Sequence, residues 1–366
     1  MLTVEALEGD GPLSTLEQEW EALAQDGPPF TRPAWFRCCG EGYGEHRQRL
    51  TLTVREHGRL LAVAPLWRST LRERGLPCRR LEFVSSPDSP RVDLVVDPQR
   101  RQQTLDALIR HVLRERRDWD VTELARWPSD SPNLEASRRL LARAGGRFLV
   151  ARSSLIPYVV VEGGWEGFLR TRSQKFRKTA RNVANRVQRL GGVEVCLYES
   201  DPDGRILDEF VALSERSWKY ERGVALASRE GASRFFRALT PVAGQRGWLL
   251  AWVLRKDGRA IATEYALRHD GTVYALRADF DQDFHEYSPG AYLQNRILEH
   301  VFDGGYREYN SGPGASAYKL HAADWTHENL VLRLFNRTPV GHALWILEGR
   351  VLPFLRRARR RVGREV

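Results

Sequence analysis

The most informative segment of the sequence is YSPGAYLQNRILEHVFDGGYREYNSGPGASAYK, which runs from Tyr287 to Lys319. Its Ser-Pro-Gly sequence is typical of a helix start, and the apolar residues that follow have the spacing of one amphipathic helix. Two glycines end that helix, and an aromatic strand and a second glycine-rich turn come next. The segment TVYALRADFD (Thr272–Asp281) precedes the stretch and predicts a β-strand. Strand, helix and strand in this order predict an α/β unit.

The start of this helix predicts an anion site. Ser288 is placed to cap the helix, Pro289 suits its first position, and Gly290 leaves backbone N–H groups uncovered. A helix N-terminus with no side chain in the way can hold a phosphate. We therefore expect a diphosphate cradle at Ser288, Pro289, Gly290 and Ala291, with Gln294 one turn further on. The alternative from the same residues is an ordinary N-cap.

An internal repeat points to a second unit of the same kind. REHGRLLAVAPL begins at Arg55 and RKDGRAIATEYAL begins at Arg255, and both predict a hairpin with a tight turn. An amphipathic helix and a short strand follow each hairpin. The matching order predicts that Leu50–Trp127 and Trp248–Gly312 are duplicated mixed α/β units.

The remaining patterns divide the chain into three parts. Helices are predicted at 13–25, 32–42, 131–144, 165–190, 203–220 and 228–240, and SSLIPYVVVE predicts a strand that links the two halves. The expected fold class is α/β (α+β), with two tandem domains whose mixed sheets are flanked by helices. The expected domains are 1–150 and 151–336, followed by a basic tail at 337–366. Thr338 and Pro339 are expected to begin the tail's first helix.

Composition limits the class of protein. The net charge is +10, and two basic clusters lie at Phe168–Gly192 and Phe354–Val366, where they could meet phosphates or anionic lipid or form solvated faces. No run approaches the ~18 apolar residues of a membrane span, and the N-terminus lacks the features of a signal peptide. Cys38, Cys39, Cys78 and Cys196 fit neither a zinc site nor a disulfide framework, so a cytoplasmic location is expected.

Several segments resemble a known family, the CelD/BcsL-type GNAT acyltransferases, which are relatives of the FemABX aminoacyl ligases. The resemblance covers about Trp165–Phe335 and depends on these segments: SQKFRKTARNVANRVQRLGG, FVALSERSWKYERG, YSPG, GGYREYNSGPG and YKLHAADW. FemABX proteins also carry two GNAT-like domains, which agrees with the repeat. One difference is Asn310, which stands where the family usually has an acidic residue.

The resemblance implies acyl transfer from a thioester to an amine. Such a reaction needs a diphosphate cradle, a donor to the oxyanion and a route for the amine proton. In GNAT folds the oxyanion donor is usually a backbone N–H of the strand before the helix, here within Ala275–Asp279, and Ala278 is assigned to the cofactor site. We assign the acceptor site to Trp218, Lys219, Arg277 and Asn310.

Three side chains are the candidate catalytic groups. Glu264 lies at mid-strand among apolar residues, where burial would raise its pKa toward that of a useful base; its alternative is a salt bridge with Arg268 or Arg277. Tyr318 could protonate the leaving thiolate or could be a hydrogen-bonded core residue. Lys319 could bind an anionic acceptor or a phosphate, or could lie on the surface.

Other chemistries are not supported by the residue patterns. Asp279, Asp281 and Asp283 lack the glycine and terminal glutamate of an EF-hand, and no H-x-x-x-H, G-x-S-x-G or Walker A motif occurs. No metal is therefore expected.

The leading function is an acyl-CoA-dependent N-acyltransferase, with acetyl-CoA as the expected donor and an amino sugar, amino acid or peptide as acceptor, in polysaccharide or cell-envelope metabolism. One alternative is a FemABX-like ligase that uses aminoacyl-tRNA, whose phosphates the helix Arg170–Arg189 could bind. Another is a non-catalytic scaffold in peripheral contact with a membrane through His342–Arg364, although Gly349 and Pro353 are expected to interrupt a helix there. The oligomeric state is left open.

Overall fold

A computed structural model describes residues 1–9, 11–115, 118–314 and 316–352. Within these ranges the chain forms one mixed sheet of thirteen strands with helices on both faces. The strands are β1 (Leu2–Glu8), β2 (Gln48–Glu56), β3 (Arg59–Glu73), β4 (Leu76–Phe83), β5 (Val95–Val96), β6 (Val121–Pro128), β7 (Arg147–Val160), β8 (Val193–Tyr198), β9 (Leu249–Lys256), β10 (Arg259–His269), β11 (Thr272–Phe280), β12 (Glu308–Asn310) and β13 (Trp325–Phe335).

The helices lie mainly between the strands of each half. They are α1 (Gly11–Leu23), α2 (Pro33–Tyr43), α3 (Arg101–Arg110), α4 (Pro132–Arg143), α5 (Gly164–Thr171), α6 (Gln174–Leu190), α7 (Arg205–Glu215), α8 (Trp218–Glu221), α9 (Glu230–Gln245), α10 (Pro289–Asp303), α11 (Ala317–Ala322) and α12 (Pro339–Ile346). Short 3-10 turns occur at Pro29–Thr31 and Gln282–Tyr287, and π-helical turns extend α3 at His111–Glu115 and α12 at Leu347–Val351.

The two predicted units have the same topology. In the first, β2, β3 and β4 form an antiparallel meander, α3 follows, and β6 pairs parallel with β4. In the second, β9, β10 and β11 form the meander, α10 follows, and β12 pairs parallel with β11. Parallel strands need a long crossover connection over one face of the sheet, and in both units this connection contains a helix. The α/β fold class with two similar units is therefore confirmed.

The two hairpins agree down to the backbone. His57 and Gly58 have positive φ values of 50° and 85°, and Asp257 and Gly258 have values of 47° and 81°. Positive φ at both central residues is the geometry of a type I′ turn, which matches the twist of hairpin strands. Each hairpin also carries a register shift two to three residues beyond the turn, between Val54 and Arg55 in one and between Ala260 and Ala262 in the other.

The last strands of the two units are exchanged. Each unit closes with a strand, a helix and a long strand, which are β6, α4 and β7 in the first and β12, α11 and β13 in the second. The sheet order in this region is β6-β13-β7-β12, so β7 pairs with β12 of the other unit and β13 pairs with β6 of the other unit. The predicted linking strand is therefore part of the central sheet, and the predicted boundary at residues 150 and 151 falls inside β7.

Three local predictions need correction. The predicted helix 165–190 is two helices, because Arg172 is extended and the Ser173 hydroxyl accepts a hydrogen bond from the Phe176 N–H and starts α6. The predicted helix 203–220 is likewise broken, since the Ser217 side chain caps α8. Gly349 lies inside a π-helical turn and does not end the helix, whereas Pro353 and the basic tail beyond it lie outside the described residues. Thr338 caps α12 as predicted.

A shared core joins the two halves. One face of the sheet packs against α1, α2, α7 and α9, and its buried cluster includes Trp67 from the first unit and Val253 from the second. The opposite face has separate cores, one under α3 and α4 and one under α5 and α10. None of the described helices has the length and apolar character required to cross a membrane.

Candidate active site

A cavity of about 330 Å³ opens where two parallel strands separate. β11 pairs with β12 only from Thr272 to Tyr274, and beyond this point β11 continues to Phe280 without that neighbour. Its free edge, residues 275–278, forms one wall of the cavity. Backbone groups on a free edge are available to hydrogen-bond a ligand.

A β-bulge changes the direction of the backbone N–H and C=O groups on this edge. Tyr265 pairs with Arg277 and Ala266 with Ala275, so Leu276 is the extra residue on β11. A bulge bends its strand and turns local backbone groups away from the regular ladder. The segment in which an oxyanion donor is predicted, Ala275–Asp279, thus begins at a bulge and lies mostly on the cavity wall.

Gly312 allows the loop after β12 to approach this edge. Its φ is +73°, and a Cβ atom there would lie 2.6 Å from the Ala275 carbonyl oxygen and 3.9 Å from Lys319 Nζ. A side chain at this position would therefore be strained by its backbone and would clash with β11. The glycine-rich turn has a definite packing role.

Glu264 is the buried acid of the cavity. It is only 6% exposed, and Tyr309 Oη donates a hydrogen bond to Glu264 Oε1 at 2.5 Å. Burial raises the pKa of Glu264 to about 7, although the Tyr309 hydrogen bond and the nearby lysine charges oppose the shift. The alternative salt-bridge roles are wrong, because Arg268 pairs with Glu199 and Arg277 with Asp279.

Lys319 and Tyr318 lie in α11 at the edge of the same cavity. Burial lowers the pKa of Lys319 to about 8, and its Nζ donates to the Pro313 carbonyl oxygen at 3.3 Å. Tyr318 is 54% exposed, which excludes the core role considered above. Because Lys319 also acts electrostatically on Glu264, the structure brings all three candidate catalytic side chains to one cavity.

Two predicted acceptor residues also line the cavity and belong to a buried charge network. Lys219 Nζ lies 3.1 Å from Asp279 Oδ1 and donates to the Ala278 carbonyl oxygen on the free edge of β11. Arg277 Nε lies 3.4 Å from Asp279 Oδ2. Ser217 Oγ donates to Asp279 Oδ1 at 3.1 Å. The network fixes the cations beside the free edge.

The cavity continues into a groove between α6, α10 and α11. This groove measures about 140 Å³, and Gln294 and Tyr318 line both spaces. Ala291 and Asn295 of α10 and Lys175 of α6 also line it. Ala291 and Gln294, two of the predicted cofactor residues, therefore line this groove.

The start of α10 differs from the predicted cap. Ser288 has a left-handed φ of 55°, and its side chain makes no capping hydrogen bond. Its Oγ instead pairs with Arg186 Nη2 of α6 at 3.1 Å. A Cβ atom at Gly290 would meet the Phe280 ring at 3.4 Å, an ordinary contact distance. Pro289 begins the helix as predicted, so its first turn keeps backbone N–H groups without a side-chain cap.

Two predicted acceptor residues lie elsewhere. Asn310 is fully buried, its Nδ2 donates to Tyr158 Oη at 2.6 Å, and its Oδ1 accepts from the Gly312 N–H at 2.8 Å. It therefore holds the glycine-rich turn and is not among the residues that line the cavity. Trp218 is 38% exposed, and its ring packs beneath the Arg222 guanidinium, 4.6 Å from the ring centroid.

The sequence analysis missed the cavity residues from the first half of the chain. Tyr43 at the end of α2 and Pro87 and Asp88 after β4 line the cavity, as do Tyr309 and Ser311 from the second half. Only the aromatic and glycine-rich character of residues 306–314 drew attention to the last two, and no local signal connects residues 43 or 88 with Glu264. In the described parts of the chain, no three His, Cys, Asp or Glu side chains are grouped to hold a metal ion.

Comparison with known proteins finds similarity in both the sequence and the fold. Residues 174–320 match the family model of the acetyltransferase (GNAT) domain. The fold is similar to that of FemX, with a TM-score of 0.59 at 11% identity, and the match covers 93% of this chain and 100% of that chain. L-PGS from Bacillus licheniformis gives 0.54 at 11% identity, with 91% and 95% covered. A conserved protein of unknown function from Bacteroides thetaiotaomicron VPI-5482 gives 0.54 at 14% identity, with 91% and 100% covered.

No curated protein matches the sequence. At these identities the similar structures establish the fold alone, whereas the family match covers β11, α10 and the first residues of α11, together with Glu264 and Lys319. Residues 174–320 are therefore similar to a GNAT acetyltransferase domain, within a chain whose fold is similar to that of FemX.

Proposed function

We propose that this protein is an acyl-CoA-dependent N-acyltransferase of the CelD/BcsL type that acylates a primary amine, with acetyl-CoA as the donor, in polysaccharide or cell-envelope metabolism. One observation carries the proposal. A buried glutamate with a pKa of about 7 faces the free edge of β11 in a cavity that continues, past Gln294 and Tyr318, into a groove beside α10. This arrangement supports a thioester in the groove and an amine in the cavity.

The chemistry follows from the side chains in place. Glu264 accepts a proton from the amine, whose nitrogen forms a bond to the thioester carbonyl carbon. A backbone N–H within Ala275–Asp279 donates to the oxyanion. The tetrahedral intermediate then collapses as the carbon–sulfur bond breaks, and Tyr318 or solvent protonates the thiolate. The products are an amide and free CoA.

Glu264→Gln tests the base. The substitution keeps the shape and an oxygen that can accept the Tyr309 hydrogen bond, but removes the basic carboxylate. Loss of a general base typically lowers the rate ~10²–10⁴-fold. We expect that loss in kcat at saturating acetyl-CoA, with acetyl-CoA affinity by calorimetry unchanged. Glu162→Gln, at an exposed position, is the control. Wild-type turnover by Glu264→Gln would contradict the assignment.

The basic face of α6 favours a second class of donor, aminoacyl-tRNA. Its seventeen residues contain six Lys or Arg and no acidic residue, and Lys175, Arg177, Lys178, Arg181 and Arg189 are exposed. Such a face suits a polyanion, as the aminoacyl-tRNA alternative requires. A thermal-shift screen with acetyl-CoA, longer acyl-CoA thioesters and charged tRNA separates the donors. Stabilisation by tRNA alone would favour the ligase, and stabilisation by neither class would leave the non-catalytic membrane contact to be tested with anionic vesicles.

A further inference from the structure

One wall of the cavity comes from the first half of the chain and lies across the sheet from the α10 groove. Tyr43 packs against the core beneath α2 and α9, and Leu276 belongs to that same core. Ala275 and Tyr309, in contrast, belong to the core beneath α10. Because residues from both faces line a single cavity, the cavity passes through the sheet where β11 and β12 separate. A donor in the groove and a second ligand on this wall could therefore meet at Glu264 from opposite faces.

Three polar atoms of side chains that line the cavity, two from this wall and one from the second half of the chain, have no protein partner. Tyr43 Oη, Asp88 Oδ2 and Ser311 Oγ are buried without a hydrogen bond to any described residue. All three side chains line the cavity, and Ser311 is only 3% exposed. Buried polar groups in native proteins are almost always hydrogen-bonded to protein, water or a bound molecule. A ligand with several hydrogen-bonding groups would satisfy all three atoms together.

Asp88 determines the charge that this wall accepts. Its Oδ1 lies 3.6 Å from Arg277 Nη1, beyond hydrogen-bond length, and its Oδ2 is free. The arginine is shared, because its Nη2 donates to the Val224 carbonyl oxygen at 2.6 Å and its Nε faces Asp279. Asp88 is thus an incompletely paired carboxylate that favours hydroxyl or ammonium donors and disfavours a ligand carboxylate.

Three cations that line the cavity are already engaged. Lys219 and Arg277 are paired with Asp279, and Lys319 Nζ donates to the Pro313 carbonyl oxygen. Arg229 also lines the cavity, but it is exposed and its Nε donates to the Gly223 carbonyl oxygen at 2.9 Å. An exposed cation that is already hydrogen-bonded contributes little to binding a carboxylate. Amino acids carry a carboxylate close to the amine, so they fit this wall less well than an amine surrounded by hydroxyls.

We propose that Tyr43, Asp88 and Ser311 form the acceptor subsite for a polyhydroxylated primary amine of the amino sugar class, with Asp88 as its specificity-determining residue. The inference rests on the proposed acyl transfer and narrows its acceptor. Asp88 Oδ2 accepts a hydrogen bond from a sugar hydroxyl, and the hydroxyls of Tyr43 and Ser311 complete the contacts. The amine then projects toward Glu264 in the gap between the strands.

Steady-state kinetics of Asp88→Asn and Asp88→Ala with acetyl-CoA test the proposal. Glucosamine is the probe, cyclohexylamine is the matched amine without hydroxyls, and glycine is the carboxylated amine. Loss of a hydrogen bond to a charged group corresponds to about a 10- to 100-fold change in affinity. We expect the KM for glucosamine to rise by that factor with kcat within about twofold, and the KM for cyclohexylamine to stay constant. Asp203→Asn, at an exposed carboxylate, is the control.

Binding measurements separate the subsite from the donor. Calorimetry with glucosamine, in the presence and absence of CoA, measures the affinity of the subsite without requiring turnover. If Asp88→Asn weakens glucosamine binding, the subsite is supported. This holds even if acetyl-CoA does not bind, a result that would refute only acetyl-CoA as the donor. Acetyl-CoA binding without glucosamine binding overturns the subsite, and so does equal efficiency with glycine and glucosamine. If Asp88→Ala lowers the melting temperature, the kinetics of Asp88→Asn and Tyr43→Phe are used to test the subsite. An unchanged KM for glucosamine in both variants would overturn the proposal.

Discussion

Glu264 shows how a single residue acquires its reactivity from its surroundings. It lies on β10 with its carboxylate against the Tyr309 hydroxyl, away from bulk water. Removal from water disfavours the charged form and raises the pKa, while the hydrogen bond and the lysines partly restore it. The equivalent position of the first unit, 200 residues earlier, is Ala64 in an apolar core. The buried acid thus distinguishes the two copies.

The pH dependence of catalysis should report two of these groups. A base acts when deprotonated, so kcat/KM should rise with pH up to the Glu264 pKa of about 7. Lys319 carries its charge only below its pKa of about 8, so a contribution from that charge should be lost above this value. We therefore expect a bell-shaped profile with a maximum between the two pKa values.

Two variants test which residue is responsible for each limb of the pH profile. Lys319→Arg should move the alkaline limb to higher pH, because an arginine stays protonated up to pH ~12. Glu264→Gln should remove the acidic limb together with most of the activity. The acceptor amine titrates equally in every variant, so its contribution cancels in the comparison. An alkaline limb that does not move in Lys319→Arg would exclude Lys319 as its origin.

At the scale of the element, the first turn of α10 is the part that the donor proposal needs most. Gly290→Glu would place a carboxylate where the diphosphate is expected. Two unit charges ~4 Å apart at an effective dielectric of ~20 repel by roughly 4 kcal/mol, which corresponds to about a 10³-fold loss of affinity. We expect that loss for CoA by calorimetry. Gly290→Ala is the control, since a methyl group there meets only Phe280 at contact distance. Equal CoA affinity in both folded variants would place the diphosphate elsewhere.

At the scale of the whole molecule, strand exchange and the shared core predict that the two halves unfold together. β7 and β13 each pair with a strand of the other unit, and the core beneath α2 and α9 contains residues of both units. Separation of the halves would expose both interfaces, so neither half retains its own sheet. We expect one urea transition, with far-UV circular dichroism and tryptophan fluorescence coincident. Trp127 and Trp252 report from opposite halves. Two resolved transitions would show that the units are independent.

Local sequence patterns predicted most of the elements because the signals that start and stop them are short-range. The Asp257-Gly258 turn, Pro289 at the start of α10 and the Thr338 cap were all predictable from residue type and spacing. Where a local polar side chain offered an alternative, as Ser173 and Ser217 did, the predicted long helices were wrong. The buried position of Glu264 was predictable from its apolar neighbours.

Residue type and spacing were sufficient to predict the duplicated α/β units, the strand that carries Glu264 and the helix that begins at Pro289. The exchange of strands and the first-half residues that reach the cavity became visible only in the folded chain. Residues 43, 88 and 264 are far apart in the chain, and no spacing pattern encodes their contact. The Ser288 side chain shows the same limit, because Arg186 of another helix takes the hydroxyl that the local pattern assigned to the cap. Local propensities act over a few residues, whereas pairing of distant strands depends on the apolar surface that the whole sheet buries.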